Sequence, residues 1–281
     1  GIVSLTSKRG DTATMKMMEC CFHTTASVPT LVHTILRVFT FLLLIGGARA
    51  TLASSQSPVV QELLSSNQTA VLVIDMQNDF CHPEGVNRRI MKWPDVCSPT
   101  VPHIHGVVNA ARRNDLPVIW INADYSPNVV SAAFDAKLRE RGEEGRPCVS
   151  EWGQDIIEEL KPSKSLMESR GNKEFIMMKP TFNAFTDTSL EEELRLRGIE
   201  TVVVTGVATS ICVESTVRSA MFQGFHTVVV REGVGDLPDR NRDSLDRVDL
   251  LFGYVASSLD IIASWLVDKN LFVDKHSMSS M

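Results

Sequence analysis

Five short apolar runs separated by amphipathic stretches constrain this chain more than any other feature. Ala70–Ile74, Leu116–Ile121, Phe175–Met178, Thr201–Val207 and His226–Val230 lack the polar alternation of strands with one wet face. Such runs read as strands buried on both sides. Between and after them, Pro99–Asn114, Gln154–Leu160, Ser189–Arg197, Ser210–Gln223, Asp239–Phe252 and Leu259–Lys269 carry apolar residues at helical spacing. Ser189 with Glu191 and Glu192 predicts an N-cap with acids in the first turn, and Gly198 a C′ residue. Strands alternating with helices predict an α/β fold: a three-layer, doubly wound, mostly parallel sheet. Asp124–Arg146 is a longer polar excursion and is expected to form a flap.

The first 66 residues differ in character. No acidic residue occurs between Glu19 and Glu62, and Arg37 precedes the apolar run Val38–Ile45, which is followed by Ala48-Arg49-Ala50. Basic residue, short apolar core and small-x-small site are the layout of a signal peptide. An organelle transit peptide or an uncleaved anchor shares part of it. The core is shorter than the ~20 residues of a comfortable bilayer span, so no stable membrane span is expected in the mature chain, which would begin near Thr51. The expected organisation is a leader and linker over 1–66, a globular domain over 67–270 and a tail over 271–281. The leader points to the secretory pathway or an organelle; without it the chain would be cytoplasmic. A net charge of −6 excludes the basic face a nucleic-acid binder needs. The expected partner is a small-molecule substrate, and the expected assembly a homo-oligomer.

Ligand crevices of doubly wound sheets lie outside the carboxyl ends of the strands, where Asp75, Asn122, Asp124 and Lys179 fall in this sequence. Cys212 sits where the fourth strand turns into a helix. There, free N–H groups and the helix dipole favour a thiolate, and a nearby lysine would lower its pKa further. A carboxylate could take the thiol proton and return it to a leaving group. Singly, a strand-end Asp is usually a turn residue and a helical Cys a small core residue. The three together at successive strand ends are what point to chemistry. Cys20 and Cys21 fall in the leader; Cys81, Cys97, Cys148 and Cys212 lack CxxC spacing and are too few for a disulfide scaffold or a zinc site. Cys81-His82 makes a poor dyad, because adjacent loop side chains rarely converge. His103 and His105, two apart on a helix, make a poor metal pair. Met177-Met178 reads as strand core, Trp120 as core or pocket wall, and Phe182 as pocket wall.

Asp75-Met-Gln-Asn-Asp-Phe80, Lys179-Pro180 and Thr205-Gly-Val-Ala-Thr-Ser-Ile-Cys-Val-Glu-Ser-Thr216 resemble the isochorismatase-like hydrolases. The similarity runs over roughly Thr69–Leu266. Cys-Val-Glu-Ser-Thr-x-Arg at 212–218 and Leu-Phe-Gly-Tyr-Val at 251–255 are most similar to the ureidoacrylate amidohydrolase subgroup. The resemblance implies Asp75 as general base, Lys179 as its partner and Cys212 as nucleophile. It also implies a cis peptide between Val207 and Ala208 that turns the Ala208 N–H, with that of Cys212, toward an oxyanion. Gln77, Phe80, Asn122 and Phe182 are the expected substrate contacts.

Two departures sharpen the expectation. Members acting on nicotinamide carry an Asp-x-His metal site after the second strand, whereas this chain reads Asn122-Ala123-Asp124-Tyr125; neither a metal nor a cofactor is expected. Members cleaving the vinyl ether of isochorismate typically lack the cysteine, so Cys212 favours amide cleavage. The expected activity is therefore cysteine-dependent hydrolysis of a C–N bond in a small linear amide or ureido compound, through a thioester. An isochorismate-type ether hydrolase and a catalytically silent binding protein are the alternatives. Substrate choice is expected to lie at position 125 and in the flap.

Overall fold

A computed structural model of the chain describes residues 57–65 and 67–266. The leader residues through 56, with the expected cleavage site, and the tail from 267 lie outside the described residues. The elements follow the chain as α1 (Pro58–Ser65), β1 (Thr69–Ile74), α2 (Val101–Arg113), β2 (Val118–Ala123), α3 (Ala132–Arg139), β3 (Glu174–Lys179), α4 (Leu190–Leu196), β4 (Thr201–Val207), α5 (Glu214–Phe222), β5 (His226–Gly235), α6 (Pro238–Arg247) and β6 (Tyr254–Ala256), with shorter helical turns between them. Residues 258–266 are helical as well.

The six strands form one sheet in the order β3-β2-β1-β4-β5-β6, every pair parallel. Residue parity sorts the apolar runs into two cores. Val71, Val73, Trp120, Val203 and Val228 face one side, where Ile104 and Val108 of α2 and Trp265 cover them. Ala70, Leu72, Ile74, Ile119, Ile121 and Val204 face the other, against Leu190 and Leu194 of α4, Val217 of α5 and Leu245 of α6. The expected three layers are thus present. Burying each large aliphatic side chain contributes about 1.5–3 kcal/mol, so the two faces together hold the sheet.

From β1 the chain winds through β2 to β3 at one edge, then crosses back to β4 on the other side of β1 and continues to β6. The loops leaving β1 and β4 diverge, which opens a crevice at their carboxyl ends. Gly206 makes the two strands close there. Its φ is +112°, and a Cβ on it would lie 2.0 Å from the Ile74 carbonyl oxygen, a position only glycine fills.

Several sequence expectations need correction. Residues 58–65, assigned to the linker, form α1, whose Val60 and Leu64 enter the core; the Trp265 indole N–H donates to the Leu64 carbonyl at 3.0 Å. Val60 and Leu64 are four apart, one helical turn, which the linker composition hid. Gln154–Leu160 is not a helix: only Glu151–Gln154 turns helically, and Ile156 pairs with Gln77 in an antiparallel bridge. Ser189 stands at the N-cap of α4 with Glu191 and Glu192 in the first turn, but its hydroxyl makes no capping bond; the Thr188 hydroxyl accepts from Leu190 N instead. Gly198 does take φ +65° after α4. β3 is an edge strand whose Ile176 and Met178 are exposed, so Met178 is not core. Asp239–Phe252 divides into α6 and a π-helical turn, Val248–Phe252. Among the described residues, no helix is long and apolar enough to cross a membrane.

Candidate active site

The crevice at the switch point collects the three side chains expected at the strand ends. Asp75 follows β1 with φ +56°, a conformation that costs a non-glycine residue about 1–3 kcal/mol and clusters at working sites. Its N–H is held by the Ile121 carbonyl at 2.9 Å. Lys179 ends β3 beside Ala123 of β2, and its Nζ donates to Asp75 Oδ2 and to the Thr181 carbonyl, both at 2.9 Å. Cys212 does not open an α-helix. It lies in a π-helical turn, Thr209–Val213, that precedes α5. That turn is pinned at both ends: Asp236 accepts from the Ser210 N–H and hydroxyl at 2.9 and 2.6 Å, and the Thr216 hydroxyl donates to the Cys212 carbonyl at 2.7 Å. Asp75, Lys179 and Cys212 are all buried, and Asp75 and Cys212 line one pocket with Val207 and Ala208.

Burial governs the charges. It raises the Asp75 carboxyl above its ordinary range, and the Lys179 charge and hydrogen bonds only partly offset this. Burial opposes the Lys179 ammonium too, yet the facing Asp75 carboxylate keeps its pKa above the usual value. Burial and the Asp75 charge push the Cys212 thiol well up, against the pull of Lys179 and the Tyr125 hydroxyl. Burial thus opposes the thiolate that the expected lysine would favour, and it sets the thiol beside a carboxylate of raised basicity.

Val207 and Ala208 are joined by a cis peptide. Phe80 and Phe182 line the pocket as expected. Gln77 and Asn122 do not. Gln77 is fully buried, its amide donating to the Ala123 and Gln154 carbonyls and its Oε1 accepting from Ala123 N. Asn122 donates to the same Gln154 carbonyl at 2.9 Å. Both tie the carboxyl ends of β1 and β2 to the Gln154 backbone, so these amide groups are spent on backbone.

Cys81 and Cys97 form a disulfide, which sequence reasoning missed and which removes Cys81-His82 as a dyad. The loop it closes carries Met91, Trp93 and Val96 on the pocket wall. His103 bonds Ser258 and His105 bonds Asn109, so the two do not meet. Trp120 is core, its indole N–H donating to Glu174. The Asp124 carboxylate accepts from Gln154 Nε2 and Ser126 N, and among the described residues no three His, Cys, Asp or Glu side chains converge as a metal set. Two further groups went unread. Asp79 accepts from Val86 N and from Cys148 N, joining the disulfide loop to the flap. Glu214, two residues past the cysteine, accepts from Arg218, Arg247 and Ser244. Burial opposes its charge, but the arginines and serine outweigh this and hold the carboxyl down at about 2. A Glu followed four residues later by Arg, as Glu214–Arg218 is, was the available signal.

Fold and site together define a three-layer α/β hydrolase domain with its polar centre at the switch point. The isochorismatase domain family matches residues 69–260, and the chain belongs to that family. A ureidoacrylate amidohydrolase of Methylobacterium radiotolerans is 26% identical over 203 residues, 67% of this chain and 76% of that protein. One from Cronobacter turicensis is 27% identical over 204 residues, 67% of this chain and 84% of that protein. Among solved structures, N-carbamoylsarcosine amidase from Thermoplasma acidophilum superposes with a TM-score of 0.55 at 26% identity, over 68% of this chain and 96% of that one. A cysteine hydrolase from Pseudomonas syringae pv. phaseolicola gives 0.61 at 22% identity, over 78% of this chain and 99% of that one, a likeness of fold.

Proposed function

We propose that this chain is a cysteine amidohydrolase that cleaves the C–N bond of a small linear amide or ureido compound through a thioester. The observation that carries the reading is the buried Asp75–Lys179 ion pair, whose Asp75 lines one pocket with the Cys212 thiol. The Cys212 proton passes to Asp75 as the sulfur attacks the carbonyl carbon, and the carbonyl π electrons move to oxygen. The N–H groups of Ala208 and Cys212 hold that oxygen. The C–N bond breaks as Asp75 returns the proton to nitrogen. Water, deprotonated by Asp75, then attacks the thioester, and the sulfur leaves and recovers its proton. Lys179 keeps Asp75 oriented and compensates its charge. The named activities of the relatives, on ureidoacrylate and N-carbamoylsarcosine, support this class of substrate.

The test is Cys212→Ala assayed on a panel of ureido acids, carbamoyl amino acids, nicotinamide and isochorismate. Wild-type turnover of a ureido or carbamoyl compound that the variant loses by at least about 1000-fold supports the reading. Turnover of isochorismate that survives the substitution would assign ether hydrolysis with Asp75 as acid. A wild-type chain that binds members of the panel and turns none over would favour a silent binding protein.

A further inference from the structure

One polar atom at the site has no part in the steps above. Tyr125 begins the flap two residues after β2 and is 1% exposed. Its ring meets Phe80, Phe134 and Phe182 edge-on, at centroid distances of 6.2, 5.2 and 6.3 Å. Its hydroxyl oxygen is buried and has no aligned hydrogen-bond partner in the protein. An unpaired buried hydroxyl costs about 1–3 kcal/mol, and phenylalanine would fill the same aromatic nest without it. A group kept at such a cost asks for a use. Asp75 Oδ1 is the other unpaired buried atom of the site, and Asp75, Tyr125 and Cys212 line the same pocket.

We propose that Tyr125 is a fourth member of the reacting group, its O–H donating to the Cys212 sulfur whenever that sulfur carries negative charge. This rests on Cys212 being the nucleophile. The charge arises twice, when the thiol gives its proton to Asp75 and when the C–S bond of the thioester breaks. In both events the phenol keeps its own proton, so the balance of the steps is unchanged.

The surrounding groups leave room for a neutral donor, and the Tyr125 hydroxyl has no other partner. Lys179, at the end of β3, favours the thiolate through its charge, while its Nζ donates to Asp75 and to the Thr181 carbonyl. Asp75, from the end of β1, holds the proton it has taken in both events, and that proton is committed to the leaving nitrogen or to the sulfur itself. Cys148, just past the flap, has its thiol pKa held well up by burial and by the Asp75 charge. Burial, with the Cys212 and Asp75 charges, keeps the Tyr125 phenol protonated well past its usual range, and the hydroxyl is close enough to lower the thiol's pKa.

Tyr125→Phe removes the donor and keeps the ring. The readout is the rate of Cys212 alkylation by iodoacetamide against pH on the full chain, followed by peptide mass spectrometry so that Cys148 is scored separately. The expected result is a profile moved to higher pH by about one unit or more, with the rate at fixed pH reduced about tenfold, and an undiminished thermal midpoint. A wild-type alkylation profile in the variant overturns the proposal. Loss of the fold in Tyr125→Phe overturns it too, because the hydroxyl would then be structural. Alkylation needs no substrate, so this result is independent of turnover; full turnover by Cys212→Ala would instead remove the nucleophile on which the proposal rests.

Discussion

Lys179 Nζ lies 2.9 Å from Asp75 Oδ2, and both side chains are sealed from water, 0% and 1% exposed. The pair joins strands that are not neighbours, since β2 runs between them. It therefore fixes the carboxylate across the crevice, and it is intact only when three strands are in register.

Lys179→Ala leaves a buried carboxylate without its counter-charge. Breaking such a pair costs about 3–5 kcal/mol, and turnover is expected to fall by at least about 100-fold as Asp75 loses its orientation. The stability loss measured by urea unfolding is expected to shrink as pH falls, because protonating Asp75 removes the uncompensated charge. A deficit that stays constant from pH 7 to pH 5 would contradict this account.

Turnover should titrate on the acid side with Asp75. The mechanism needs it ionised, and burial raises it above its ordinary 3.8. kcat/KM is therefore expected to rise with pH along a limb whose midpoint lies above that value. Lys179→Gln, which removes the charge that partly offsets burial, should move the limb further up. A pH profile measured on both proteins decides the matter; a limb at or below the ordinary carboxylate value would show another group in control.

Gly206→Ala tests the closure of β1 on β4. The new methyl would meet the Ile74 carbonyl at 2.0 Å at a φ of +112°. Backbone cannot yield like a side-chain tip, so a loss of about 3 kcal/mol or more is expected. Because the clash sits one residue before Asp75, the surviving folded fraction should also be slow. Chemical denaturation with active-site titration separates the two effects, and a variant as stable as wild type would refute the close approach.

The amino-terminal boundary of the domain is open to a truncation series. A chain starting at Ser57 keeps α1 and should match the full chain in rate and melting temperature. One starting at Asn67 loses the burial of Val60 and Leu64, about 1.5–3 kcal/mol each, and the Leu64 carbonyl that accepts from Trp265. Its melting temperature is expected to drop by about 6 °C or more. Equal melting of the two chains would return residues 58–65 to linker status.

The strands and the residues at their ends were legible for the same reason. An apolar run fixes where a buried strand stops, and Asp75, Lys179 and Cys212 are all read by their distance from such an end. Direction was not legible. Gln77 and Phe80 are three apart in one segment, and nothing local says that Gln77 turns to the backbone of Ala123 and Gln154 while Phe80 turns to the pocket. β6, three residues at the sheet edge, is too short to carry a pattern. The Cys81–Cys97 pairing escaped because two cysteines sixteen apart carry no spacing signature.

That disulfide bears on how the protein is handled at the bench. Buffers for thiol enzymes carry dithiothreitol to keep the nucleophile reduced. Here the same reagent acts on a cross-link whose loop supplies one wall of the pocket. Reductant thus bears on two sulfur chemistries at once, the free thiol of Cys212 and the disulfide behind the pocket wall. Each assay therefore has to state its redox condition as it states its pH.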